Sequence, residues 1–113
     1  MPRVLLMDPN RHDRLLANLS HLPHLLAFCL VDATDRRVLE LAPRSFLDAT
    51  RVAKSDPELW DDIFLTNRPA LLQVIAQFER RWRLLRRQIA GGDRTGLRRF
   101  LVSAHAKRDV LQP

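Results

Sequence analysis

The sequence predicts an all-α fold, and three observations carry that prediction. The chain is rich in Leu, Ala and Arg, with three Gly and no Tyr, a composition that favours helices over sheets. Apolar residues recur at spacings of three and four along much of its length. Asp-Pro and Ser-Asp-Pro-Glu clusters precede apolar stretches, as at helix starts, and Gly-Gly follows one, as at a helix end. With 113 residues, of which 46% are apolar, the chain has room for a single core and is no disordered segment. One domain over residues 1–113 is expected.

Residues 2–7 (Pro-Arg-Val-Leu-Leu-Met) read as a short strand without a partner. Helix one starts at Asp8-Pro9, with Asp as N-cap and Pro preorganised for the first turn. Leu15, Leu19, Leu22, Leu26 and Leu30 form a stripe expected to be buried. Ser20, His21 and His24 share a second face. Pro23 lacks the N–H that would bond to Leu19, so the helix should bend there. The polar run from Asp32 to Arg37 ends it. A second helix is expected over 44–54, with Asp48 and Arg51 three apart on one face.

Ser55-Asp56-Pro57-Glu58 opens a third, long helix, kinked at Arg68-Pro69. Along it Leu71, Ile75, Phe78, Trp82, Leu85 and Ile89 form a coiled-coil-like seam. Such a seam must be covered by the next helix or by another subunit. Gly91-Gly92 stops it. A last helix, with Leu97, Phe100, Leu101 and Ala104 on its apolar face, is expected to fold back as a hairpin.

Several function classes recede on composition alone. No apolar run reaches 18 residues, so no bilayer-crossing segment is expected. The one cysteine, Cys29, cannot close an internal disulfide, which suits a reducing cytoplasm. The net charge is +6, concentrated after Glu79. The arginines there encircle their helix instead of forming a stripe, so a nucleic-acid partner is not expected, although a basic nucleic-acid-binding domain is an alternative reading. No Gly-rich turn leads into a helix, since Gly91-Gly92 follows one, so no dinucleotide is expected to bind this chain by itself.

The residues that carry chemistry lie on helix one and just after it. His21 and His24 could share a metal ion, but two more ligands would be needed and none is well placed, so no metal is expected. From residue chemistry they read equally as two satisfied core histidines or as part of an anion site completed by Arg51. Asp48 and Arg51 could equally form a simple intrahelical pair. Trp60 and Trp82 read first as core residues.

Three blocks, taken together and in order, resemble a known family. They are His12-Asp13-Arg14-Leu15-Leu16-Ala17 with Ser20-His21-Leu22-Pro23-His24, then Asp48-Ala49-Thr50-Arg51-Val52-Ala53, then Asp56-Pro57-Glu58-Leu59-Trp60-Asp61-Asp62-Ile63-Phe64-Leu65-Thr66-Asn67-Arg68. They resemble the helical C-terminal domain of prephenate/arogenate dehydrogenases of tyrosine biosynthesis, over roughly residues 4–109. The resemblance implies a substrate-binding and dimerisation domain of an NAD- or NADP-dependent oxidative decarboxylase. The N-terminal Rossmann domain, with the cofactor and the catalytic His, would be missing, and residues 1–7 would be the remnant of its last strand. The chain alone would bind no cofactor, hold no catalytic residue and be inactive. Its partners would be prephenate or arogenate, tyrosine as an inhibitor, a second copy of itself and the missing domain. By matching position, Ser20, His21 and His24 would line the substrate pocket and Arg51 would clamp a carboxylate. Asp48 would orient Arg51 or the pocket wall, and Trp60 would lie beside the ligand. A rival reading is a stand-alone module that senses tyrosine or a related aromatic acid.

Overall fold

The computed structural model describes residues 8–111, and every element among them is helical. The short strand expected within residues 2–7 lies outside the described residues. Helix α1 (Pro9–Leu16) begins as predicted: the Asp8 carboxylate accepts from the Arg11 N–H at 2.9 Å, and Pro9 fills the first turn. A five-residue π-helical turn, Ala17–His21, then leads into α2 (Leu22–Ala33). The Leu22 N–H bonds to the Ala17 carbonyl, one residue further back than in an α-helix.

Pro23 supplies the physical reason. It offers no N–H to the Leu19 carbonyl, and its ring crowds that carbonyl, so the preceding turn widens. The distortion is therefore a bulge ahead of Pro23, where the sequence suggested a bend at it.

That bulge corrects one expectation. Leu15, Leu19 and Leu30 do not belong to a buried stripe: Leu19 is 73% exposed, and the other two are exposed as well. A π turn takes up an extra residue, so three-and-four spacing across it no longer keeps side chains on one line. A second expectation also changes. α1, the π turn and α2 form 25 helical residues, Pro9–Ala33, long and apolar enough to cross a bilayer. Length and composition therefore do not exclude a membrane helix. What remains is that the polar groups of this helix are used within the chain, as described for the site below.

After Thr34 come α3 (Arg36–Leu39), capped by Asp35, and α4 (Arg44–Ala49). The helix expected over 44–54 is broken. Thr50 leaves helical geometry (φ −114°, ψ 8°), and a 3-10 turn, Arg51–Lys54, follows. The Thr50 hydroxyl and N–H both donate to the Phe46 carbonyl, at 2.8 and 3.1 Å, which caps α4 and holds Thr50 buried. The 3-10 turn packs against α2.

Helix α5 (Pro57–Thr66) is capped by Asp56, whose carboxylate accepts from the Glu58 N–H at 3.2 Å. Asn67 alone separates it from α6 (Arg68–Ala90). The kink thus falls two residues before Pro69. With no N–H at Pro69 and its ring crowding the Leu65 carbonyl, α5 cannot run on through it. Helix α7 (Arg94–Asp109) follows Gly91-Gly92 and is capped by Asp93, which accepts from the Gly96 N–H at 2.9 Å.

The chain divides into two compact units between Ile75 and Ala76. In the first, Ala17, Ala27, Leu71 and Val74 are buried, with His21 and Thr50 as the buried polar residues. The second is the predicted antiparallel hairpin. Arg81 lies over the Phe100 ring at 4.7 Å, and Gln88 closes on Gly96. A Cβ at Gly96 would run into the Asp93 carboxylate, which would have to shift from its place at the α7 cap.

Gly92 turns the chain with φ +62° and has open space where a Cβ would point. The cost of Gly92→Ala is therefore in the backbone alone, about 1 kcal/mol. A urea titration should give a lower midpoint with an unchanged slope. An unmoved midpoint would mean that the turn does not need its left-handed residue.

Candidate functional site

The site is built on the π turn and the first turn of α2. His21 is 7% exposed and closes the π turn. The Asn67 side-chain nitrogen donates to the Asp13 carbonyl at 2.8 Å and approaches His21 Nδ1 at 3.2 Å. His24, one turn on, places Nδ1 2.8 Å from the Ser20 carbonyl. A carbonyl only accepts, so His24 Nδ1 carries the proton.

Trp60, from the first turn of α5, lies flat on His24, with ring centroids 3.6 Å apart and planes 13° apart. It meets His21 edge-on at 6.2 Å and tilts against Phe64 at 5.6 Å. Trp60 is thus half-buried against two imidazoles rather than inside an apolar core. Trp82 is exposed and stacks with Phe78 at 6.2 Å.

The electrostatics follow from this packing. Burial, and next the charge of nearby His24, hold His21 below the ordinary imidazole value, and the Asp13 carboxylate opposes them. His21 is therefore neutral near pH 7.

The other predicted residues are placed as follows. Ser20 is half-buried in the π turn, and Arg51 is exposed at the start of the 3-10 turn that packs on α2. Asp48 is exposed on α4. No ion pair joins Asp48 to Arg51 among the described residues, because the break at Thr50 puts them on different elements. Ser20, His21, His24 and Trp60 form one cluster, and Arg51 stands on the element that abuts their helix. Asn67 received no role from the sequence. An Asn just before Arg-Pro reads as a helix end, and nothing local says that its amide spans back to residues 13 and 21.

Among the described residues no three His, Cys, Asp or Glu side chains converge. Gly91-Gly92 follows α6, as expected, and the Asp93 carboxylate already occupies the N-terminus of α7 beyond it. A phosphate there would meet a negative charge, so the residues present do not fit a dinucleotide.

An all-α chain with paired imidazoles, an overlying indole and an arginine nearby defines a helical ligand-binding or assembly module. Residues 8–103 match the family model described as prephenate dehydrogenase, dimerization domain, and the chain belongs to that family. Cyclohexadienyl dehydrogenase of Zymomonas mobilis is 42% identical over 98 residues, covering 80% of this chain and 33% of that protein. The crystal structure of prephenate dehydrogenase from Aquifex aeolicus in complex with hydroxyphenyl propionate and NAD+ is 34% identical, with a TM-score of 0.88 over 97% of this chain and 41% of that one. Synechocystis arogenate dehydrogenase is 29% identical, with a TM-score of 0.86 over 95% of this chain and 41% of that one. The chain spans about a third of the curated relative and matches the C-terminal part of these proteins.

A titration prediction follows from His21. Its pKa is lowered on folding from 6.5, so the unfolded chain binds that proton more readily. Stability is then complete above about 6.5 and falls as the pH drops toward the folded value. The urea midpoint should fall on acidification from about pH 7 to about pH 5, and His21→Gln should flatten that fall. An unchanged slope in His21→Gln would assign the acid sensitivity to other groups.

Proposed function

We propose that this chain is the substrate-binding and dimerisation domain of an NAD(P)-dependent prephenate or arogenate dehydrogenase acting in tyrosine biosynthesis in the cytoplasm. The observation that carries this reading is the stack of Trp60 on His24. It joins residues 36 positions apart into one cluster, with Arg51 on the adjacent element. Both ligands are anionic at neutral pH. A guanidinium offers a planar fork to a carboxylate, imidazole nitrogens add directional bonds, and an indole face suits a six-membered ring. Ser20, His21, His24 and Trp60 line the pocket, Arg51 clamps a carboxylate, and Asp48 shapes the wall around Arg51.

The chemistry needs a hydride acceptor, and these residues do not fit one. NAD or NADP would be held by a separate dinucleotide-binding domain, and this chain by itself would be inactive. When bound there, such a cofactor would supply the hydride acceptor for an oxidative decarboxylation. This chain's part is to fix the ligand's carboxylate and ring. Tyrosine, which resembles the product, would compete for the same groups.

Joined to that cofactor domain, Arg51→Ala should raise the Michaelis constant strongly, by roughly 2–4 kcal/mol of lost binding. An unchanged constant would reject the clamp. The dimer rests on the family assignment and on apolar surface along α6, where Trp82 is 58% and Ile89 65% exposed. Sedimentation at micromolar concentration should give a dimer, and replacing Trp82 and Ile89 by Glu should give monomers. A well-folded wild-type monomer would reject the dimer.

A further inference from the structure

Asn67 is the single residue between α5 and α6, and its backbone serves both helices. Its N–H donates to the Ile63 carbonyl at 3.3 Å, and its carbonyl accepts from the Leu71 N–H at 3.0 Å. The side chain is thereby aimed away from both helices, at the π turn. Its nitrogen lies 2.8 Å from the Asp13 carbonyl and 3.2 Å from His21 Nδ1. A carboxamide nitrogen has two hydrogens and no usable lone pair. Both contacts are therefore donations, and His21 Nδ1 must be the acceptor.

The neighbouring imidazole has the opposite arrangement. His24 Nδ1 donates to the Ser20 carbonyl. In the neutral state Nε2 of His21 carries hydrogen, and Nε2 of His24 carries a lone pair. Two chemically identical rings one turn apart thus present opposite polarities. A pair of that kind distinguishes a ligand acceptor from a ligand donor, where two interconverting rings would not.

We propose that Asn67 is a positioning residue of the site: it selects the Nε2–H tautomer of His21 and so makes His21 a donor beside His24 as an acceptor. Its meaning for a ligand rests on the pocket reading above, but the tautomer does not, because it is measured without ligand. The same amide ties the Asp13 carbonyl of α1 to the α5–α6 junction, so one group meets both α1 and the imidazole that closes the π turn.

The test is a long-range 1H–15N spectrum of the 15N-labelled 113-residue chain near pH 7, without ligand. His21 should show an unprotonated Nδ1 and a protonated Nε2, and neutral His24 the reverse. A wild-type His21 protonated at Nδ1 would overturn the proposal. Asn67→Asp puts a carboxylate in place of the donor and should protonate His21 Nδ1 while leaving His24 as it was. Asn67→Ala adds no charge and should give His21 as a mixture of tautomers. A His21 that keeps the wild-type signature in either folded variant would show that Asn67 does not set it. Loss of hydroxyphenyl propionate binding with the tautomers intact would count against the pocket reading alone.

Discussion

A proline inside a long helix leaves one carbonyl without its donor and crowds it with a ring, and much of the first unit follows from that. Pro23 stands near the middle of the 25 helical residues from Pro9 to Ala33. The chain accommodates it by widening the turn Ala17–His21 into a π turn. The extra residue rotates everything downstream. It takes Leu15 and Leu19 out of line with Leu22 and Leu26, and it puts His21 at the closing end of the widened turn. The Ser20 carbonyl of the wide turn accepts from His24, and the Asp13 carbonyl, one turn earlier in α1, accepts from Asn67. Widening a helix costs regular hydrogen bonding, and here the His24 imidazole takes up the Ser20 carbonyl.

The distribution of apolar surface is the second organising fact. Among the described residues no large side chain is fully buried, and leucines, valines and a tryptophan stand exposed in both units. A lone chain of this kind leaves much of the hydrophobic contribution to stability unused. The membership in a dimerisation-domain family gives that surface a physical purpose.

Much of the fold was legible in the residues. Asp8-Pro9 and Asp56-Pro57 cap the helices they are expected to start, and Gly92 adopts the left-handed turn expected after α6. The hairpin of α6 and α7 follows from those signals and a periodic apolar face. The helix expected over 44–54 and the long helix expected to kink at Arg68-Pro69 are each two separate helical elements. Thr50 and Asn67 each interrupt one, because side-chain bonds compete with the helical ladder and because Pro69 cannot continue it. At the site, the shared face of Ser20 and His24 was legible from spacing. Trp60 was placed beside the ligand only by resemblance, since a lone Trp on an amphipathic helix reads as core.

What the sequence determined by itself is local: which stretches are helical, where caps and turns lie, and that His21, His24 and Pro23 conflict with an ordinary core helix. These depend on neighbours within four residues, where propensity and capping act. The tertiary structure alone decided that Trp60 lies on His24, that Asp48 and Arg51 part at Thr50, and that Asn67 reaches back to Asp13 and His21, 54 and 46 residues away. Contacts at such separations are set by how helices pack, and no short-range pattern encodes a single amide pointing at a single ring nitrogen.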